Sequence, residues 1–378
     1  MIAGRVGARR RPAPVAAALL AGLLALSACG TDAAGAGGQG GDAAASALPA
    51  LTELDVLDDP RDYVGESTAT LQDVAITPVA EDPQQSLPVT VTSHDSSGDV
   101  EVEVTDTSRV VAIDLAGSLA ATVWGLGFGD TLVGRDQSTT FPGTEELETV
   151  TSSGHTVNAE AVIALEPTLV ITDGTVGPVD VIQQLRDVGI DVVFVENEAS
   201  FDGAAALAEQ VAEVYGAPDA GELLAERIGT EVEEKIAEIA EIAPSGDERL
   251  RIVFLYLRGS AGIYYLFGSE SGADQLIEAL GGIDVVSELG WEGMQPMTDE
   301  ALVAADPDLI LVMTGGIESV GGVDGLLAEK PAVALTTAGE NRRFVDMDDG
   351  TILSFGPRSA EVLDALARAI YAPEDSAG

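Results

Sequence analysis

Two fifteen-residue stretches of this chain repeat one another 140 residues apart: "NAEAVIALEPTLVIT", residues 158–172, and "TDEALVAADPDLILV", residues 298–312. Both hold Glu-Ala, a short helical pattern, a proline and an apolar strand. Glu160 matches Glu300, Pro167 matches Pro307 and Leu169 matches Leu309. One self-similarity at so long a distance describes two related lobes rather than a short-period solenoid.

The surroundings of both stretches agree. From Arg109 onward, short apolar strands alternate with amphipathic helices, the pattern of a parallel α/β sheet. Strands are expected at "RVVAIDL", "TLVGRD", "TLVIT" and "DVVFV", with helices over Gly117–Leu126, Ala159–Leu165, Val179–Val188 and Phe201–Tyr215. After residue 249 the order recurs: "LRIVFLYLRG" as a strand, a helix within Gly272–Gly281, a short helix over Asp299–Ala305, and "LILVMT" as a strand. Between the halves, Leu224, Ile228, Val232, Ile236 and Ile239 fall at three- and four-residue spacing, with Pro218 ahead and Pro244 and Gly246 behind. That periodicity predicts one helix over residues 219–243, roughly 37 Å long at 1.5 Å per residue. A single rigid helix between lobes argues against large hinge motion and for a largely preformed cleft.

Ahead of the lobes, Val89 and Val91, then Val100, Val102 and Val104, alternate around Asp95-Ser96-Ser97-Gly98, as in a β-hairpin. His94, one of only two histidines, lies at that turn and is expected to be merely solvated. The fold class is therefore α/β, with two Rossmann-like α/β lobes joined by one long backbone helix, a ligand cleft between them and an N-terminal hairpin. The divisions expected are a signal peptide at 1–28, a tether at 29–85, the hairpin at 86–108, the first lobe at 109–216, the interlobe helix at 217–245, the second lobe at 246–371 and a tail at 372–378. Residues 30–50 are Gly/Ala-rich, and residues 51–85, acidic and punctuated by prolines, are expected to be poorly ordered.

Arg5, Arg9, Arg10 and Arg11 give a basic start, Val15–Leu26 an apolar run too short to span a bilayer, and Leu26-Ser27-Ala28-Cys29 follows. This resembles a bacterial lipoprotein signal, in which cleavage precedes a cysteine that carries diacylglycerol. Cys29 is the only cysteine, so no intramolecular disulfide can form. A tethered protein at the outer face of the cell membrane, without a transmembrane helix, is expected. Removing residues 1–28 takes away those four arginines and no acids, so the formal charge of -46 becomes -50. Nucleic acid and anionic membrane surfaces are disfavoured as partners.

A lipobox, a hairpin, two α/β lobes on one long helix, and a glutamate ahead of each Pro-x-Leu strand resemble the substrate-binding proteins of ABC importers for iron siderophores, haem and cobalamin. The resemblance covers about residues 86–371. It implies that Glu160 and Glu300 dock onto arginines of a membrane permease, whose ATPase is a separate chain. A favourable helix dipole alone would also place acids in a first turn.

Ligands of open α/β sheets lie beyond the carboxyl ends of the strands. His155, in "GHTVNAE", follows the "TLVGRD" strand. In "RIVFLYLRG", alternation puts Phe254, Tyr256 and Arg258 on one face, with Leu255 and Leu257 on the other. A free tyrosine ionises near pH 10; ferric iron and a guanidinium on the same face both stabilise a phenolate. Tyrosinate and histidine are both haem-iron ligands. Within the family, the trio looks like that of actinobacterial haem-binding proteins, which implies His155 and Tyr256 as axial ligands of ferric haem b, Arg258 as support, and upstream haem-capturing surface proteins as further partners.

Trp124, Tyr264, Tyr265, Phe267, Trp291, Met294 and Met297 could line a porphyrin or simply pack. Arg135, Arg258, Arg343 and Arg358 are arginines near strand ends that could meet the haem propionates, and the sequence does not choose among them. A ferric siderophore or cobalamin is the alternative cargo. A zinc site lacks histidines for three protein ligands, and "GSESGADQLIEALGG" lacks a phosphate-loop lysine. A haem enzyme would keep one axial side open, a hydrolase would need a nucleophile elbow that is missing, and a surface adhesion protein would bind no tight small ligand. No enzyme activity is expected.

Overall fold

A computed structural model describes residues 48–72, 75–152 and 154–373 of the 378-residue chain. The signal segment, Cys29 and residues 30–47 lie outside the described residues, as do 374–378 of the tail. Among the described residues no helix is long and apolar enough to cross a membrane.

Two 3-10 turns (Leu51–Glu53 and Pro60–Asp62) precede the first strand, β1 (Ser67–Ala69), and the hairpin follows as β2 (Val89–Asp95) and β3 (Gly98–Val104). The first lobe runs β4 (Val110–Ile113), α1 (Ser118–Leu126), β5 (Leu132–Arg135), the two-residue strands β6 (Glu148–Thr149), β7 (Thr151–Ser152) and β8 (Thr156–Val157), α2 (Ala159–Ala164), β9 (Leu169–Thr172), α3 (Val179–Asp187), β10 (Asp191–Phe194) and α4 (Phe201–Val214). Its parallel sheet has the order β10-β9-β4-β5-β6. Val110 and Ala112 join the core under α1 and α4, while Val111 and Ile113 join a second core with α2 and α3. A sheet covered on both faces needs continuous apolar strands, which is why "RVVAI" has no polar alternation. The hairpin docks beside β10, where the Phe194 amide donates to Ser93 Oγ at 2.9 Å and Arg186 pairs with Asp95 at 2.5 Å.

The helix α5 (Pro218–Ile242) is 25 residues long, with proline at its start. Leu224, Ile228, Val232 and Ile239 are buried on the stripe that the spacing marks, in a core shared with α1, α4 and strands of both lobes.

The second lobe continues through β11 (Arg251–Arg258), β12 (Ile263–Phe267), α6 (Ala273–Ala279), β13 (Ile283–Asp284), α7 (Val285–Glu288), β14 (Met294–Pro296), α8 (Asp299–Ala305), β15 (Leu309–Met313), α9 (Thr314–Glu318), α10 (Gly322–Glu329), α11 (Thr337–Glu340), β16 (Phe344–Met347) and α12 (Ser359–Tyr371). Here the expectation of a parallel sheet needs correction. β1, β16, β15 and β11 are parallel, but β12 and β14 add antiparallel strands. Residues 259–262 between β11 and β12 are too few for a parallel crossover, so β12 turns straight back on its neighbour.

Of residues 51–85, expected to be poorly ordered, the described parts, 51–72 and 75–85, instead form a strap across the molecule. Leu51 is fully buried and its amide donates to Glu238 Oε1 of α5; β1 adds to the edge of β16; Val79 donates to the Gly125 carbonyl. Arg343 fastens the strap, donating to Ser67 Oγ at 2.8 Å and to the Ala369 and Ile370 carbonyls, with the Tyr63 ring over it. Average composition hides this because only a few of its described residues, Leu51, Pro60, Ala69 and Ile76, are buried, and an open strand edge supplies the rest.

The repeat extends to backbone detail. Asn158 caps α2 and Thr298 caps α8; Glu166 and Asp306, the residues before the matched prolines, are both left-handed (φ 47° and 40°). Arg109 then reaches back to the Leu165 and Glu166 carbonyls, and Arg251 to the Ala305 carbonyl. Each arginine starts its lobe's central strand and satisfies carbonyls at the end of its lobe's short helix.

Candidate functional site

His155 sits in the turn between β7 and β8 with φ 57°, and its amide donates to the Ser152 carbonyl. A left-handed conformation is uncommon away from glycine. The Gln137 amide nitrogen lies 2.9 Å from His155 Nε2, whereas Nδ1 is buried without a partner among the described residues. With Gln137 donating, Nε2 offers its lone pair and Nδ1 carries the proton. Burial, and then the positive charge of Arg258, push the His155 pKa below that of a free imidazole. That shift favours the neutral ring, the form in which a histidine can ligate.

That effect of Arg258 comes from the other lobe. On β11, Phe254 joins one core while Val253, Leu255 and Leu257 join another, so the alternation expected for this strand is present. The Arg258 guanidinium lies over the Tyr256 ring, 4.6 Å from its centroid. It is held there by Asp349 at 2.7 Å and by the Leu257 carbonyl at 2.9 Å, and Asp349 is fixed in turn by the Gly315 amide. Tyr256 also stacks on Phe267, and among the described residues its hydroxyl has no hydrogen-bonding partner. The charge of Arg258 thus acts on the His155 imidazole from the other lobe, while its guanidinium covers the Tyr256 ring.

The antiparallel pairing of β11 with β12 sorts the aromatic candidates. Tyr265 lies directly across from Tyr256, and Phe267 stacks on it, so both share its face. Tyr264 belongs to the opposite core, under Lys330, together with Trp291 and Met297. Trp124 packs edge-on against Phe141 in the first lobe, and Met294 is exposed. The arginines sort as well. Arg135 is spent on the Leu147 and Thr139 carbonyls and Arg343 on the strap, whereas the Arg358 guanidinium has no hydrogen bond or ion pair among the described residues. His94 pairs loosely with Asp99 on the hairpin, far in sequence from the trio, with its side chain partly exposed.

Glu160 and Glu300 are each the second residue of their helix, exposed and without an ion pair among the described residues. Four contributors escaped sequence reasoning. Gln137 lies in "DQSTTFPG" without a distinguishing pattern, and Asp349 reaches Arg258 across 91 residues. Asp114 and Asp136, both fully buried, organise the ends of β4 and β5: Asp114 accepts from the Ser118 and Leu119 amides, and Asp136 from those of Asp114, Ser138 and Thr139. Burial drives both carboxyls up, with each other's charge adding at Asp114.

No group of three or more His, Cys, Asp or Glu side chains among the described residues could hold a bare metal ion.

The family model described as periplasmic binding protein matches residues 110–351, more than half of the chain. The chain belongs to the periplasmic binding protein family. Within it, the chain is similar to the haem-binding protein HmuT, whose crystal structure superposes with a TM-score of 0.77 at 40% identity over 83% of this chain and 99% of that one. Three further HmuT structures are alanine variants of a histidine, a tyrosine and an arginine, the last two being two positions apart. A periplasmic haem-binding protein, RhuT from Roseiflexus sp. RS-1, superposes with a TM-score of 0.63 at 33% identity over 71% and 99% of the two chains. A cobalamin-binding protein of Halobacterium salinarum is 28% identical over 284 residues, 74% of each chain.

Proposed function

We propose that this protein is the extracytoplasmic haem-binding component of an ABC importer. Ferric haem is captured between the lobes with His155 and Tyr256 as axial ligands, then delivered to a permease for iron acquisition. The observation that carries this reading is the Arg258 guanidinium, stacked on the Tyr256 ring and close enough to His155 for its charge to act there. The charge of Arg258 disfavours a protonated imidazole at His155, and its guanidinium lies against the ring of the second donor, so one cation bears on both. The HmuT variants at a histidine and at a tyrosine and arginine two residues apart support the same trio.

Cys29 carries the lipid anchor at the outer face of the membrane, and Glu160 and Glu300 meet the permease. The protein's task is binding and release rather than turnover. Cobalamin is the second reading, favoured by the Halobacterium relative. A ferric siderophore fits less well, because Arg135 and Arg343 are committed to backbone carbonyls.

Hemin titrated into residues 30–378 tests the reading. A saturable one-to-one spectrum of six-coordinate ferric haem is expected. Tyr256→Ala should lose the phenolate charge-transfer band and most of the affinity, and His155→Ala should lose six-coordination alone. Hemin bound no better than by an unrelated acidic protein, or both variants behaving like the wild type, would overturn it. Cyanocobalamin binding that outcompetes hemin would select the second reading.

A further inference from the structure

A cavity of about 300 Å³ opens between the carboxyl ends of the second lobe's strands, the strap and the first lobe's loop at Thr140–Pro142. That is at the lower end of the size range of small-molecule sites. Arg358 lines it, 91% buried, with its guanidinium 5.5 Å from the Phe141 ring of the facing lobe and free of any hydrogen bond or ion pair among the described residues. A buried guanidinium without a partner is costly. Around it the Thr140 and Thr70 hydroxyls and the Gln72 amide have no hydrogen-bonding partner among the described residues, whereas Thr314 is engaged by Asp346. The one acid in the lining, Asp348, is exposed, and its Oδ1 accepts from Gly350 and Thr351. Glu361, one helical turn beyond Arg358, also bears on the guanidinium electrostatically, but no ion pair forms.

The cavity adjoins the Tyr256 site. Asp348 precedes Asp349, the partner of Arg258, and Thr314 precedes Gly315, whose amide holds Asp349. We infer that Arg358, with Thr140, Thr70 and Gln72, forms a carboxylate-binding subsite that takes one of the haem's own carboxylates while the iron lies at Tyr256. A planar guanidinium flanked by hydroxyl donors recognises a carboxylate by charge-assisted hydrogen bonds. This inference rests on the haem reading above.

The test compares hemin with hemin dimethyl ester, which keeps iron and ring but has no carboxylate. In wild-type protein the ester should still give the Tyr256-dependent spectrum, with weaker binding. Arg358→Gln should weaken hemin about ten- to hundredfold and leave the ester within about twofold. Thr140→Val, at an exposed position, should weaken hemin severalfold and spare the ester, which keeps the test decisive if Arg358→Gln does not fold. Equal losses for both ligands would make Arg358 a structural residue, and unchanged hemin affinity in both variants would remove the subsite while the iron site stands. If neither ligand gives a Tyr256-dependent spectrum in the wild type, the haem reading itself fails and the subsite falls with it.

Discussion

His155 reaches the cleft with Nε2 engaged by Gln137, so an iron that takes this nitrogen must displace the amide. A net hydrogen bond contributes about 0.5–1.5 kcal/mol, and Gln137→Ala is therefore expected to tighten hemin binding about two- to tenfold; calorimetry beside the wild type checks it, and weaker binding would make Gln137 a positioning residue. The imidazole has its own pH dependence. Its pKa is lowered in the fold, so the neutral ring is favoured at and above the ordinary value near 6.5 and is lost only as pH falls through the lowered one. Six-coordinate haem should accordingly persist below pH 6.5 in the wild type. Arg258→Ala removes one of the two causes, so its acid loss of six-coordination should move to higher pH in a spectral titration. Asp349→Ala releases Arg258 from one side only. The pair is partly exposed, and a loss of about 1 kcal/mol, or roughly fivefold in hemin affinity, is expected. Tyr256 and Arg258 were singled out by strand alternation and His155 by residue type on a loop after a strand. Gln137 and Asp349 were not, since a polar residue in a loop takes its meaning from a partner far along the chain.

At the level of elements, what the sequence carried best was periodic. The stripe on α5 and the repeated helix-proline-strand unit translate into structure nearly residue for residue, because burial on one face forces the spacing. The strap was not legible, since extended chain on a strand edge needs backbone pairing and a few anchors rather than a period. Its anchors make it testable. Leu51 is fully buried among α5 and α12 residues, and truncation of a buried leucine costs about 2–5 kcal/mol. Leu51→Ala should lower the denaturant midpoint accordingly, whereas a disordered tether would make it silent. The short helices α2 and α8 carry the opposite kind of test. Glu160 and Glu300 are exposed and unpaired among the described residues, so reversing both to arginine should leave thermal stability and hemin affinity nearly unchanged. Haem uptake by cells that depend on this protein should nonetheless be lost; retained uptake would return the two acids to a role at the helix dipole.

Across the whole molecule, the decisive feature is that the two lobes do not have separate cores on their facing sides. One apolar cluster runs from α1 and α4 along Leu224, Ile228, Val232 and Ile239 of α5 into α12 and the second lobe's strands. The strap adds a second crossing, through Val79 on Gly125 and Leu51 on Glu238. Opening the cleft by a hinge would shear this packing, and close-packed interiors switch between discrete arrangements rather than deforming smoothly. Haem entry should therefore be accommodated by side chains at the cleft, Gln137 and Tyr256 above all, with the lobes nearly fixed. Spin labels on cysteines placed at Asp187 in the first lobe and Glu329 in the second, in residues 30–378, report the distance directly. With hemin added the distance distribution should shift by less than about 1 Å, as in other pre-organised complexes. A shift above about 2 Å, the scale of hinge closure, would mean that the shared core yields. Gating would then belong to α5 and the strap rather than to the residues that hold the iron.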